Sequence, residues 1–151
     1  MLDTVWKPHA TVAAIVERDD HFLLVEETCA GKSVFNQPAG HLEDDESLYD
    51  AVIREVREET TFLFEPQAIV GCYRWRDAAK QRTHLRMTFC GTVSDERPDL
   101  PLDEGIIATH WLSYDEILNH SSLRGPLVAQ CIDDYRAGRR YPLEFIRDIV
   151  T

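Results

Sequence analysis

Three glutamates, Glu55, Glu58 and Glu59, lie at i, i+3 and i+4 of a segment, residues 46–60, whose apolar positions recur with helical spacing. At about 100° per residue, Leu48, Ala51, Val52 and Val56 form one stripe, while Ser47, Asp50, Arg54 and Arg57 face the other way. Glu55 and Glu59 project within the stripe, and Glu58 at its edge. An ordinary solvated helix would place its acids opposite the leucine and valines and pair them incidentally with arginines. Here the pattern crowds carboxylates into a cleft beside the core, where they repel one another and are costly to desolvate. A hard cation with oxygen ligands is the usual remedy. The three glutamates also sit late in the helix, against the backbone dipole, while Asp44 or Asp45 is placed to cap its start and Glu46 and Asp50 to open it.

The chain has little positive charge to offer an anionic partner. It carries 27 acidic against 16 basic residues, a formal charge of −11, which disfavours capture of a nucleic-acid backbone or an anionic membrane. An anionic substrate would need a cation between itself and the protein, and clustered carboxylates hold divalent metal whose charge reverses the local field. His9, His21, His41, His84, His110 and His120 show no H-E-x-x-H or similar ligand spacing, so no zinc site is assigned. Cys29, Cys72, Cys90 and Cys131 form no C-x-x-C pair and read as reduced, partly buried thiols.

The elements that must position the glutamates follow from length and patterning. At 151 residues, 44% hydrophobic and 28% charged, the chain has the size and composition of one globular domain spanning 1–151. Its longest apolar runs, Ala13 to Val16 and Phe22 to Val25, fall far short of the roughly 20 residues of a membrane span. Met1 to Trp6 lacks a basic then apolar export signal, so a cytoplasmic location is expected. Residues 10–16 and 22–25 read as strands joined by a hairpin through Glu17-Arg18-Asp19-Asp20. Residues 69–75 and 83–93 alternate, with Leu85, Met87 and Phe89 on one face and His84, Arg86 and Thr88 on the other, the pattern of half-buried strands. Residues 106–112 form another strand, after which Ser113-x-x-Glu116 is a capping box that opens a short helix through Leu118. Pro126, the apolar positions Leu127, Val128, Cys131, Ile132 and Tyr135, and Gly138 outline a further helix. Asp95 to Glu104, with its acids and prolines, is the loosest stretch. Interleaved strands and helices predict an α/β fold, one mixed sheet with helices packed on it.

Residues 40–62 carry Gly40, Glu46, Arg54, Glu55, Val56, Glu58, Glu59 and Phe62 at spacings that closely resemble the Nudix box, G-x5-E-x7-R-E-U-x-E-E-x-G-U, with U bulky and apolar. Eight of its nine fixed positions match, and Thr61 stands where the family has glycine. That glycine ends the helix in the family, and a β-branched residue at positive φ is strained, so either the helix ends differently here or some stability is given up. The resemblance implies a three-layer α/β/α sandwich with a mixed sheet. It also implies a Mg2+-dependent hydrolase, with Mn2+ as a substitute, of substrates in which a diphosphate is linked to another group. Matched position by position, Glu55, Glu58 and Glu59 correspond to metal ligands and the carbonyl of Ala39, beside Gly40, to a further one. Glu46 and Arg54 correspond to an ion pair that braces loop and helix.

Flanking segments extend the likeness. Pro8 to Val12, Val25 to Thr28, Asn36 to Glu43, Leu123 to Ala129 and Arg140 to Glu144 together resemble a bacterial phosphatase subgroup of the same family. That subgroup implies hydrolysis of hydroxymethylpyrimidine diphosphate, thiamine diphosphate and nucleoside tri- and diphosphates with release of orthophosphate. The partner is then a small molecule, with no nucleic acid or membrane, and the chain a monomer or small homo-oligomer. A broader pyrophosphohydrolase of nucleoside triphosphates or dinucleotides, releasing pyrophosphate or a nucleoside monophosphate, is the second reading. A catalytically silent nucleotide sensor is the third, and the intact glutamate set argues against it.

Cleaving a phosphoanhydride needs charge neutralisation on phosphoryl oxygens and a water held in line. Glu55 can serve as base as well as ligand, and Asp103-Glu104, in a loop ahead of the last strand, offers another base, with Glu104 favoured. For substrate contacts, Tyr73 and Trp75 share one strand face and can stack on a base or pack the core. Arg74, Arg76, Arg82 and Arg86 form the one basic concentration in the chain. Gln37, with Phe35 and Asn36, borders the leaving group, so that Gln37, Arg74, Trp75 and Arg86 are the expected substrate contacts.

Overall fold

The computed structural model describes residues 5–94 and 96–151. The expected lack of an export signal therefore falls partly outside it, at residues 1–4, as does Asp95 at the head of the acidic loop. Seven strands form one sheet: β1 (His9–Arg18), β2 (His21–Cys29), β3 (Lys32–Asn36), β4 (Ala39–His41), β5 (Leu63–Asp77), β6 (Arg82–Ser94) and β7 (Ile106–Ser113). α1 (Leu48–Thr60) lies between β4 and β5, while α2 (Tyr114–Leu118), α3 (Leu127–Arg136) and a 3-10 turn (Leu143–Phe145) follow β7.

The sheet has two wings that share the β1–β2 hairpin. In one, β1 runs parallel to β6 and antiparallel to β4, and β6 pairs antiparallel with β5. In the other, β2 is flanked antiparallel by β3 and β7. A parallel pair inside an otherwise antiparallel sheet makes it mixed, as the sequence predicts. Val12, Ala14 and Val16 of β1, with Leu23 of β2 and Phe89 of β6, pack under Ala51, Val52 and Val56 of α1. Ile15, Phe22 and Leu24 face the opposite way, onto Ile117 of α2 and Leu127, Val128, Cys131 and Ile132 of α3. Both faces of β1 are thus covered, which is why its residues read as a continuous apolar run rather than an alternation. The result is the three-layer α/β/α sandwich. Among the described residues, no helix is long and apolar enough to cross a membrane.

Several local expectations are corrected. Ser47, not Asp44 or Asp45, caps α1: its Oγ accepts from the Asp50 backbone N–H at 3.1 Å and donates to Asp50 Oδ2 at 2.8 Å. Asp45 is instead at φ 65° in the preceding turn, and Glu46 lies before the helix. Strands β3 and β4 leave no strand signal in the sequence because Lys32-Ser33 and Ala39-Gly40-His41 have poor strand propensity. They are held by register against β2 and β1. Strand β5 is far longer than its alternating part, carrying Pro66 and two register shifts that an edge strand tolerates. On β6 the face carrying His84, Arg86 and Thr88 is not solvated: Arg86 is 9% exposed and Thr88 fully buried, whereas Leu85 on the other face is 43% exposed.

Thr61 is the C-terminal residue of the α1 cap. It adopts φ 65°, ψ 1°, and its N–H donates to the Arg57 carbonyl. The helix ends in the left-handed geometry that glycine usually serves, so the second of the two alternatives holds and the threonine accepts the strain.

Candidate active site

A cleft of about 360 Å3 opens between α1 and β4 on one side and β6 and the start of α3 on the other. Ala39, Gly40, Glu55, Glu59, Trp75, Arg86, Asp103 and Glu104 all line it. Arg82 of the basic concentration does so too, as do Glu27, Lys80 and Arg124, which are not among the expected contacts. Glu27 and Arg124 lie in the flanking segments that carry the family likeness, a signal that could have marked them.

The carboxylate wall is built by helical periodicity acting on a short strand. β4 pairs with β1 through Ala13↔Ala39, Val12↔Gly40 and Thr11↔His41, and the Leu42 N–H and Pro38 carbonyl add bonds to Ala10 and Ala14. Against this fixed strand, α1 turns Glu55 and Glu59 inward, at 7% and 6% exposure. Glu59 Oε2 accepts from the Ala39 N–H at 3.0 Å. The Glu55 carboxylate lies directly over Gly40, where any Cβ would collide with it. Here glycine is required for close approach, not for its φ.

Arg54 ties this wall together. Its Nε and Nη2 hold Glu46 at 3.0 and 2.6 Å, its Nη2 also donates to the His41 carbonyl at 3.0 Å, and its Nη1 reaches Glu55 at 2.8 Å and Glu58 at 3.1 Å. Glu46 Oε1 accepts from the Glu43 N–H as well. The fork–fork pair lowers the Glu46 pKa and raises that of Arg54. It joins the 41–46 loop to the helix.

Burial is the larger force on the inward glutamates. It pushes the Glu55 pKa up against the opposing pull of Arg54, and it pushes Glu59 up to about 9. The charge of Asp103 adds to both shifts. Of the two loop acids, Asp103 is thus the one whose charge reaches both glutamates, and its N–H donates to the Glu58 carbonyl at 2.8 Å. Both loop acids are exposed. Glu58 turns toward Arg54 and lies outside the cleft lining, so that among the described residues no three acidic, histidine or cysteine side chains converge as a preformed metal cage. The donor set nonetheless suits a hard cation: burial holds Glu59 protonated for want of positive charge and pushes up the pKa of Glu55, which is cradled over a glycine, and α1 offers only oxygen donors.

On the opposite wall, Trp75 stacks on its cross-strand neighbour His84, with ring centroids 5.3 Å apart at 21°. His84 in turn meets His9, which contacts His41 at 3.2 Å. Trp75 also lies against Gly125, where a Cβ would strike its ring. Arg86 projects from β6 two residues along from His84. Arg124 pairs with Glu27.

Two of the expected substrate contacts lie elsewhere. Arg74 is exposed on the other face of β5, because successive strand residues alternate and Trp75 takes the inward direction. Gln37 is 1% exposed and outside the lining; its Nε2 donates to the Val128 carbonyl at 2.7 Å and its Oε1 accepts from Arg86 Nη1 at 3.4 Å. It sits behind the wall. Tyr73 is likewise removed from the cleft, its hydroxyl donating to Asp134 at 2.8 Å.

Comparison with known proteins gives this site a family. The sequence matches the NUDIX domain over residues 7–131. It is 45% identical over 144 residues to the phosphatase NudJ of Escherichia coli strain K12, covering 95% of this chain and 94% of that protein. The same identity and coverage hold for the NudJ of Shigella flexneri. A solved NUDIX hydrolase from Nitrosomonas europaea is 49% identical and superposes with a TM-score of 0.92, covering 95% of this chain and 98% of that one. The MutT protein of Methanosarcina mazei Go1, at 24% identity and a TM-score of 0.72 over 91% of this chain and 100% of that one, shares the fold. By sequence and by fold the chain belongs to the Nudix family of hydrolases, enzymes of phosphorus-containing anhydrides.

Proposed function

We propose that this enzyme is a Mg2+-dependent phosphatase that removes orthophosphate from hydroxymethylpyrimidine diphosphate, thiamine diphosphate and nucleoside tri- and diphosphates. The observation that carries the reading is the polarity of the cleft: buried glutamates on one wall face a buried arginine and a stacked tryptophan on the other. A flat heteroaromatic ring bearing a diphosphate has that sequence of properties. The likeness to phosphatase NudJ over nearly the full length of both chains supports the same substrate class.

Glu55, Glu58, Glu59 and the Ala39 carbonyl would hold the metal, which when bound neutralises phosphoryl charge and lowers the pKa of water. Arg54 keeps the glutamate-bearing helix docked on the 41–46 loop through Glu46. Among the acids that line the cleft, Glu55 and the loop residues Asp103 and Glu104 would accept the proton of the attacking water. Trp75, fixed by His84 and Gly125, offers its ring to the leaving group. Replacing it, Trp75→Ala, should raise KM for pyrimidine-bearing substrates by about 1–3 kcal/mol and leave that for inorganic tripolyphosphate unchanged. An equal effect on both would assign the ring to packing.

Hydrolysis of the two thiamine compounds and a nucleotide panel, with Mg2+ or EDTA, tests the reading when orthophosphate and pyrophosphate are assayed separately. Orthophosphate from the thiamine compounds that disappears in EDTA is the expected result. Pyrophosphate from nucleotides alone would replace the phosphatase by a general pyrophosphohydrolase.

A further inference from the structure

The wall that faces the glutamates contains a buried guanidinium that has no ion-pair partner among the described residues. Arg86 is 9% exposed, its Nε has no hydrogen-bond partner, and among the described residues no carboxylate pairs with it. Its Nη1 makes only the long 3.4 Å bond to Gln37. Burial pushes its pKa down and the Arg124 charge adds to the effect, while the Cys131 thiol and, more weakly, the Glu27 charge offset part of it. An unpaired guanidinium in such a place costs several kcal/mol of desolvation. A protein that keeps one there has a ligand for it.

The surroundings indicate what that ligand is. Gln37 is gripped by the Val128 carbonyl, and so presents its Oε1 to Arg86 and fixes the guanidinium toward the cleft. Val128 belongs to the first turn of α3, a ten-residue helix that has neither a side-chain cap nor an acid in that turn. Gly125, Leu127 and Val128 all line the same cleft. The positive end of the helix dipole therefore opens beside Arg86, with Arg124 at the edge.

We infer that Arg86, Arg124 and the first turn of α3 form a metal-independent subsite for a terminal phosphate group. A terminal phosphate is dianionic with three free oxygens, so it can engage a guanidinium fork and helix N–H groups together. An internal phosphodiester has one charge and two free oxygens and fits less well. The inference rests on the phosphatase reading for its substrates. It makes this wall the selector for compounds that end in phosphate, and the resting place of released orthophosphate. Gln37 is a positioning residue that holds Arg86.

Orthophosphate binding in EDTA tests the subsite without turnover. At ten times its dissociation constant, phosphate should raise the Tm of the wild-type protein by about 3–6 °C, beyond the effect of chloride at equal ionic strength. Arg86→Met should lose that shift while melting no lower than the wild type without phosphate, because it removes an uncompensated buried charge. A variant that melts lower and keeps the shift would make Arg86 structural and overturn the inference. The wild type alone gives a second readout: 15N spectra during a phosphate titration should move the Arg86 Nε–H and the Leu127 and Val128 amides. Movement confined to other residues, or an equal response to chloride, would also overturn it. A positive result in EDTA together with no turnover of the thiamine compounds would retain the subsite and remove only the substrate assignment.

Discussion

The two walls of the cleft each bury charge, and they settle it differently. On the α1 side, Arg54 joins Glu46, Glu55 and Glu58 in one hydrogen-bonded network, so the chain supplies part of its own counter-charge, and what remains unsettled falls on the buried Glu55 and, most of all, Glu59. On the β6 and α3 side, Arg86 has one long hydrogen bond to an amide, the nearby Cys131 thiol and no paired carboxylate among the described residues. The first wall can be assembled before a cation arrives, with a residual appetite for one. The second gains nothing until an anion does. A cleft so divided orders its substrate by charge before any contact with the leaving group is made.

Removing ligands from the first wall should have the largest effect. Glu58→Gln keeps shape and helix propensity but makes a poorer magnesium ligand, and should lower kcat by about 10^2–10^3-fold with an unchanged circular dichroism spectrum. Because Glu58 rests against Arg54 and outside the cleft lining, retained activity would show that it stays there and would reduce the metal-binding set to Glu55, Glu59 and the Ala39 carbonyl. Arg54→Gln tests the network itself. It strands Glu46, Glu55 and Glu58 without their shared cation and should cost about 3 kcal/mol in metal-free protein, read from urea unfolding. Mg2+ should return a large part of that loss. If the loss is below about 1 kcal/mol, the value of an exposed pair, the first wall is not self-balanced and the contrast between the walls fails.

The layers of the fold were legible in the sequence because burial leaves a periodic trace. The continuous run at Ala10 to Val16, the 3.6-residue stripe through Ala51, Val52 and Val56, and the Ser113–Glu116 capping box all correspond to elements present in the structure. β3 and β4 were not legible, since Lys32-Ser33 and Ala39-Gly40-His41 are strands only because β2 and β1 offer them partners. The inward direction of Glu55 and Glu59 was readable from the same stripe, and the box spacing marked their neighbours. The second wall was legible in part: Trp75 and Arg86 stood among the expected substrate contacts and do line the cleft, but alternation on β6 showed only that His84, Arg86 and Thr88 share a face, not that this face looks into the cleft and onto α3. A polar stripe on a strand looks the same whether it meets water or a substrate. Asp44 and Asp45 lost the helix cap to Ser47 for a related reason: any of the three can cap, and the Glu46–Arg54 pair decides which residue stands at the helix start.

Titration sharpens the contrast with a smaller effect. Glu59 ionises near 4.5 in the unfolded chain and only near 9 when folded, because burial opposes its charge. Between those values the folded protein holds a proton that the unfolded chain releases, so the contribution of this group is complete below about 4.5 and is lost as pH rises toward 9. His41 and His84, whose pKa values are lowered by burial, act in the opposite sense but only near and below their usual 6.5. From pH 7.5 to 9 the histidines no longer contribute, and comparison with Glu59→Gln cancels what the buried Cys90 and Cys131 thiols, whose pKa values burial raises, add near the upper end. In EDTA the wild type should lose about 1–2 kcal/mol across that window relative to Glu59→Gln, and Mg2+ should flatten the slope, since metal requires the ionised form. Parallel slopes for the two proteins would mean that Glu59 is ionised without metal, and that the first wall leaves no charge unsettled.

The smallest expected effect lies at the end of α1, where the carboxylate wall meets the rest of the chain. Thr61 holds φ 65° while 5% exposed, so its β-branched side chain carries the left-handed strain in a place where it also packs. Thr61→Gly removes strain worth about 1–2 kcal/mol and gives back part of it through lost packing and a more flexible unfolded chain. The net gain should be about 0.5–1 kcal/mol, a rise of roughly 1–3 °C in Tm, with kcat/KM unchanged because the Thr61 N–H can still reach the Arg57 carbonyl and leave Glu58 and Glu59 in place. A gain in stability with a loss of activity would be the informative departure. It would mean that the strained cap holds the last turn of α1, and with it Glu58 and Glu59, in an orientation that a relaxed helix end does not keep.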